Sequence, residues 1–354
     1  MSRVGDRTQD ATLISAPERI PMLPAMEHDQ LWGWMAQLYS IRSAGSWGVG
    51  DFEDLQDPAW SMRNSKTGAD FMLVNPLHAC EPVAPLTPSP YLPISRRFIN
   101  FTYIRPEAIE EYAGLGDDLK SQIGELHAQA EPLNGDAQII DRDSMWRVKM
   151  HALWLIFKAG RSEARQKREF DRLPAHESGE ELEAYATWCL CYDKWGAPTG
   201  EADNWVQRHT TGISDEVQGL RRAVPRHIEL LPLAGMDRHR AAWSRAAGRP
   251  QGAGMQIGIM ADMAVGVHPS GSDVWWNPER FAKGATVGAP PDMFNQQGQD
   301  WSQPPLNPIE LENTGYLTYR HMVQGMFAHA GAVRIDHILG LFRLWWIPSG
   351  HSAQ

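Results

Sequence analysis

Four short apolar runs separated by long connections limit what this chain can fold into more than any other feature. They are LWGWMAQLYSI (31–41), DFMLVNPLHA (70–79, broken by Pro76), MQIGIMADMAVGV (255–267) and AVRIDHI (332–338). Each reads as a strand, and stretches of helical spacing lie between them. The pattern predicts β/α units with right-handed crossovers and a parallel sheet. In each unit the unusual residues come after the strand: Trp47, Tyr91, the stretch from Asp262 to Asp273, and Asp336. In a β/α barrel or a doubly wound sheet, that carboxyl end is where ligands bind.

The connections divide the chain. Residues 1–30 are polar, carry three prolines and read as a loose N-terminal arm. Residues 31–105 hold the first two runs, a glycine-rich loop (RSAGSWGVGDF), a short helix in EDLQDPAWSMRN and a proline-rich loop over 80–104. Loops of that length inside a domain are usually functional. Over 106–250 the spacing becomes helical, with Trp146, Met150, Leu153, Trp154 and Phe157 as one stripe and Leu182, Tyr185, Ala186 and Cys189 as another. The charged run RSEARQKREFDR reads as a solvated face, and the whole stretch as a helical insertion. Residues 251–354 resume the strand pattern, with a second long loop over 268–308 and a helix in TGYLTYRHMVQGMFAHAG.

Composition excludes several function classes. A net charge of −10 argues against a general binder of nucleic acid or anionic membranes. The first thirty residues lack an apolar signal core, and no run reaches the roughly 18–20 apolar residues of a membrane span, so a cytoplasmic location is expected. Three cysteines (Cys80, Cys189, Cys191) are too few for a disulfide framework and favour a reducing compartment. Cys189 and Cys191 face different directions on a helix, so no metal site is expected there. Fifteen tryptophans suit either a large core or stacking on flat apolar ligands such as sugar rings. Composition leaves both open.

RIDHILGLFRLWWIP (334–348) sets an arginine, an aspartate and a histidine into four positions beside an apolar run. A strand's period of two puts Arg334 and Asp336 on one face, within reach of a charge-assisted contact. Such a contact would keep the carboxylate ionised, as a nucleophile requires. A purely structural arginine–aspartate pair fits this stretch equally well. Asp262 ends the preceding run and could face the same mouth.

SWGVGDF (46–52), SPYLPISRRFIN (89–100), VGAPPDMFNQQGQDW (287–301) and AVRIDHILGLF (332–342) occur in this order. Together they resemble the amylomaltases, the 4-α-glucanotransferases also called disproportionating enzymes, from about residue 31 to the end. The resemblance implies a (β/α)8 barrel of amylomaltase type with a helical insertion, of which about the first half is present, as far as the fourth strand. It implies that Asp336 is the catalytic nucleophile, flanked by Arg334 and His337, and that Asp262 holds sugar hydroxyls. Tyr91 would lie beside the nucleophile, and Trp301 would be a stacking platform near the acceptor, with Asp292 and Gln299 on the same loop. It implies malto-oligosaccharides and α-1,4-glucans as partners and no cofactor. Three departures stand out: Ser302 where glycine is usual, HILG where HFRG is commoner, and Phe101 where a proline is usual. The family's general acid/base is a glutamate on the next strand, so this chain is expected to be C-terminally truncated and inactive alone. The leading reading is retaining transfer of glucan segments by double displacement. The alternatives are a catalytically incomplete glucan-binding chain and a hydrolase of α-amylase type.

Overall fold

The computed structural model describes residues 2–4, 7–9, 13–22, 30–55, 68–160, 178–198, 204–223, 255–328 and 330–354. The run RSEARQKREFDR and most of EDLQDPAWSMRN lie outside the described residues.

Ser2–Val4 (β1) and Arg7–Gln9 (β2) pair antiparallel, so the segment read as a loose arm carries a small local ladder that needs no core. The main sheet has four strands, Gly33–Ala36 (β3), Phe71–Val74 (β4), Gly258–Met263 (β7) and Ala332–Ile335 (β10). All are parallel, and their order across the sheet is their order in sequence. Five of the six residues of the central strand β7 are buried, as expected of a strand covered on both faces. The first run makes a shorter strand than expected. Its ladder ends at Ala36, and the Asn75 side chain then accepts the Leu38 N–H at 2.7 Å, turning the chain into a single 3-10 turn.

Past Pro76, His78–Ala79 (β5) pairs with Ser95–Ile99 (β6), which folds the proline-rich loop back on itself. The second long loop departs further from expectation. Ala285–Ala289 (β8), Gln299–Gln303 (β9) and Trp345–Pro348 (β11) form a three-stranded antiparallel sheet in the order β11-β8-β9. The short sequences of β8 (ATVGA) and β9 (QDWSQ) lack an apolar alternation, which hides this sheet from an apolar-pattern reading.

The helices described between residues 106 and 250 include Asp117–Ala130 (α1), Arg142–Lys158 (α2), Ser178–Trp195 (α3) and Asp215–Ala223 (α4). Leu182, Tyr185, Ala186 and Cys189 are all buried on α3. On α2 the buried face is Met145, Trp146, Lys149, Ala152, Leu153 and Ile156, turned slightly from the expected stripe. Lys149 accounts for the turn. Fully buried, it donates from Nζ to the Thr102 carbonyl at 2.7 Å.

Below it lies a charged cluster that ties down the SWGVGDF loop. Arg105 bonds Asp51 Oδ2 at 2.9 Å and Asp54 Oδ1 at 2.7 Å, and the Ser43 and Ser46 hydroxyls donate to Asp54. Burial, and then Asp54, push the Asp51 carboxyl up to about 6, while burial pulls Lys149 down to about 8. Trp47 belongs to this region as core. It is wholly buried, its indole N–H reaches Glu107, and its ring stacks on His127 at 4.9 Å. The tryptophan that follows the first strand is therefore part of the core.

Removing one member of such a cluster leaves the others buried and unmatched. Lys149→Met should destabilise the fold by roughly 3 kcal/mol or more, read as a lower urea midpoint at unchanged slope. A loss under about 1 kcal/mol would show that the lysine is dispensable.

Candidate active site

Parallel neighbours β7 and β10 are in a register that sets Arg334 opposite Asp262. Adjacent parallel strands lie about 4.8 Å apart, so side chains on one face meet. The Arg334 guanidinium donates through Nη1 to both Asp262 oxygens, at 2.8 and 2.9 Å, and Nη2 lies 3.1 Å from Asp336 Oδ1. One arginine thus bridges two carboxylates on two strand ends. The period-two contact between Arg334 and Asp336 is present, and Asp262 shares it.

The two carboxylates differ in exposure. The Asp262 side chain is 3% exposed, whereas Asp336 is 33% and Arg334 38% exposed. Asp262 is the buried anchor and Asp336 opens to solvent. Burial raises the Asp262 pKa above the usual carboxylate value, and the Arg334 hydrogen bond and charge offset only part of that. Arg334 is raised as well, first by its hydrogen bond to Asp262. Tyr91 closes the group, donating its phenol O–H to Asp262 Oδ2 at 3.1 Å. Burial and the Asp262 charge push that phenol upward.

A second group stands beside the first. His337, the residue after Asp336, has φ 48° and gives its backbone N–H to Asp336 Oδ1 at 3.1 Å. Its ring lies 4.4 Å from that of Trp301, centroid to centroid. Trp301 in turn donates its indole N–H to Gln299 Oε1 at 3.0 Å. A bulge opposite Val287 and Gly288 sets Trp301 and Ser302 out of the β8–β9 ladder. Asp292 does not join either group through a contact among the described residues. Its carboxylate accepts the Phe294 and Asn295 N–H groups and caps its own exposed turn.

Residues with no role expected from sequence hold the chain just after Asp262. Buried Arg96 donates through Nη1 to the Ala264 and Val265 carbonyls at 3.1 and 2.8 Å. His78 Nε2 accepts the Ala264 N–H at 3.3 Å, which requires an unprotonated Nε2. Gln303 reaches from β9 to the Tyr91 carbonyl. The sequence signal for Arg96 is a charged pair, Arg96–Arg97, inside an otherwise strand-like run; a lone histidine and a lone glutamine carry none. Among the described residues no three His, Cys, Asp or Glu side chains could hold a metal ion, and no helix is long and apolar enough to cross a membrane.

A family described as 4-alpha-glucanotransferase, of glycoside hydrolase family 77, matches residues 36–354. The chain belongs to this 4-alpha-glucanotransferase family. A curated 4-alpha-glucanotransferase of Mycobacterium bovis is 40% identical over 362 residues, covering 98% of this chain and 48% of the relative. One from Haemophilus influenzae is 29% identical over 364 residues, covering 96% of this chain and 50% of the relative. The chain spans about half the length of the curated relatives it matches. The crystal structure of amylomaltase from Corynebacterium glutamicum superposes with a TM-score of 0.78 at 40% identity, covering 91% of this chain and 43% of that one. An amylomaltase from Streptococcus agalactiae, solved in complex with acarbose, shares the fold at a TM-score of 0.74 and 18% identity, covering 92% of this chain and 63% of its own. The fold is α/β, as in these neighbours.

Within the 4-alpha-glucanotransferase family, the serine at 302 now has a physical description. Its φ of 58° is left-handed, a conformation that glycine adopts without strain. Asp300 Oδ1 holds it there by accepting the Ser302 N–H at 2.7 Å. The departure is a local strain with a local restraint, beside the Trp301 ring.

The His78 contact makes a pH prediction. Burial, and then the Arg96 charge, hold His78 down to about 3, against about 6.5 when unfolded. Below pH 6.5 the unfolded chain takes up a proton that the native state refuses, so stability falls as pH drops from about 6.5 to about 3. Over that window His78→Gln should remove about one proton's worth of slope, roughly 1.4 kcal/mol per pH unit, from urea melts made at each pH. An unchanged slope would mean that His78 is charged in the native state.

Proposed function

We propose that this chain carries the nucleophile half of a retaining 4-α-glucanotransferase acting on malto-oligosaccharides and α-1,4-glucans. The observation that carries the reading is Arg334 bridging buried Asp262 and open Asp336 at adjacent strand ends. We read the four strands, whose sheet order follows sequence order, as about half of a (β/α)8 barrel. On that reading residues 1–30 are an arm, 31–105 and 251–354 are barrel, and 106–250 are a helical insertion. Three free thiols suit action in the cytoplasm.

Asp336 attacks the anomeric carbon of the donor. Arg334 and the His337 N–H both engage Oδ1, and among the described residues Oδ2 has no partner, so Oδ2 is the attacking oxygen. The glycosidic bond breaks, its oxygen leaves with a proton from a general acid, and a glycosyl ester forms on Asp336. An acceptor sugar hydroxyl then attacks the same carbon, giving its proton to the group that served as the acid, and the ester bond to Asp336 breaks to complete the transfer. Asp262 and Tyr91 bind and orient donor hydroxyls. Trp301, with His337 behind it and Gln299 on its indole N–H, offers a flat face to the acceptor, and Asp292 shapes the tip of the same loop.

The nucleophilic step is separable from the acid. Fluoride leaves without protonation, so α-maltotriosyl fluoride should glycosylate Asp336, with the C–F bond broken and fluoride released. Intact-mass and peptide analysis should find one maltotriosyl ester on Asp336 and none in Asp336→Asn. Maltotriose needs its leaving oxygen protonated, and Asp262 is already taken by Arg334 and Tyr91. Residues 1–354 should therefore release no glucose from maltotriose. Labelling elsewhere would refute the assignment of the nucleophile, and turnover of maltotriose would show that another carboxyl of this chain serves as the acid.

Trp301→Ala should weaken maltose binding about fivefold, the worth of one stacking face, in calorimetry, while the rate of labelling by the fluoride donor stays the same. Slower labelling with unchanged maltose binding would put Trp301 on the donor side instead.

A further inference from the structure

Gln303 is a polar side chain in an expensive place. It ends β9, only 6% exposed, and its Oε1 is buried with no partner among the described residues. A buried orphan acceptor costs free energy, and such groups call for an explanation. The other end of the carboxamide supplies one. Nε2 donates to the Tyr91 carbonyl at 3.0 Å, and since a carbonyl only accepts, the nitrogen must face it.

The oxygen then faces Gly266, four residues beyond Asp262. A Cβ at Gly266 would stand 2.5 Å from Oε1 and 2.9 Å from the Gln303 Cβ, so only glycine admits the carboxamide in this position. One side chain therefore meets three pieces of the site: the strand that carries Trp301, the backbone of Tyr91, and the segment that follows Asp262. Tyr91 itself sits on a proline-rich loop, 38% exposed, with its phenol on Asp262.

We propose that Gln303 is a positioning residue that holds Tyr91 against Asp262, with Gly266 as the socket that admits it. This deepens the glucan-site reading and rests on it for the ligand arm of the test alone. Gln303→Met keeps the length and removes the donor. Gly266→Ala keeps the Gln303 carboxamide but pushes it away from the Tyr91 carbonyl, so both variants should have the same consequence.

The first arm needs no ligand. With 3-fluorotyrosine in place of the eight tyrosines, the Tyr91 19F resonance is assigned by its loss in Tyr91→Phe. It should shift or broaden in both Gln303→Met and Gly266→Ala. A Tyr91 resonance unmoved in either folded variant overturns the proposal, and the second variant decides if the first does not fold.

The second arm is calorimetry with maltotriose. Gln303→Met should bind about fivefold more weakly, the worth of one hydrogen bond, and should add less than about twofold in a Tyr91→Phe background, because the two act as a unit. Equal losses in both backgrounds would mean general scaffolding and overturn the proposal. If the unsubstituted chain does not bind maltotriose, the glucan reading fails, while the resonance of Tyr91 still decides the role of Gln303.

Discussion

Burying Asp262 at the end of a central strand would cost several kcal/mol if its charge went unmatched. Arg334 matches it from the next strand, and can do so only because the β7–β10 register sets the two opposite each other. A slip of one residue would turn Arg334 to the other face and strand the carboxylate. The same guanidinium then places its Nη2 against Asp336. Strand register, a buried charge and the direction of the exposed carboxylate are thus one constraint, set by a single side chain. Arg334 is thus a structural partner to Asp262 across the strands and a neighbour of the open Asp336 carboxylate along its own strand.

What could be read beforehand follows from periodicity. The four parallel strands were legible because short apolar runs alternate with helical spacing, and the Arg334–Asp336 contact because a strand repeats every two residues. The sheet of β8, β9 and β11 was not, since strands such as Ala285–Ala289 and Gln299–Gln303 carry little apolar alternation and their third partner lies more than forty residues further on. Lys149 was invisible for a related reason. A pattern of apolar side chains cannot announce a lysine whose burial depends on a carbonyl and two aspartates from distant loops. The resemblance to amylomaltases supplied roles for Tyr91 and Trp301 that spacing alone could not.

The tryptophan excess divides along similar lines. Trp47, Trp146, Trp188, Trp205 and Trp275 are buried. Several spend the indole N–H on a distant group: Trp146 on the Pro82 carbonyl, Trp188 on the Ser270 carbonyl and Trp47 on Glu107. Those bonds join loops of the sheet region to the helices, so these rings serve as large apolar volume with one directed tie. Composition could not separate such rings from Trp301, whose distinction is its place on a bulge beside His337.

Two left-handed residues flank that contact, Ser302 after Trp301 and His337 after Asp336. For non-glycine residues each such conformation costs on the order of 1–2 kcal/mol. Each is restrained in the same manner, its backbone N–H accepted by an aspartate one or two residues earlier. At Ser302 the restraint is local. At His337 it uses the proposed nucleophile itself, and the same oxygen receives Arg334. Forming a glycosyl ester on Oδ2 would remove the negative charge that both donors share, weakening the hold on His337 and, through its ring, on Trp301. On the proposed roles of Asp336 and Trp301, donor cleavage and acceptor placement would be coupled through one carboxylate, whose charge would be lost while the ester stands and regained when the acceptor displaces it.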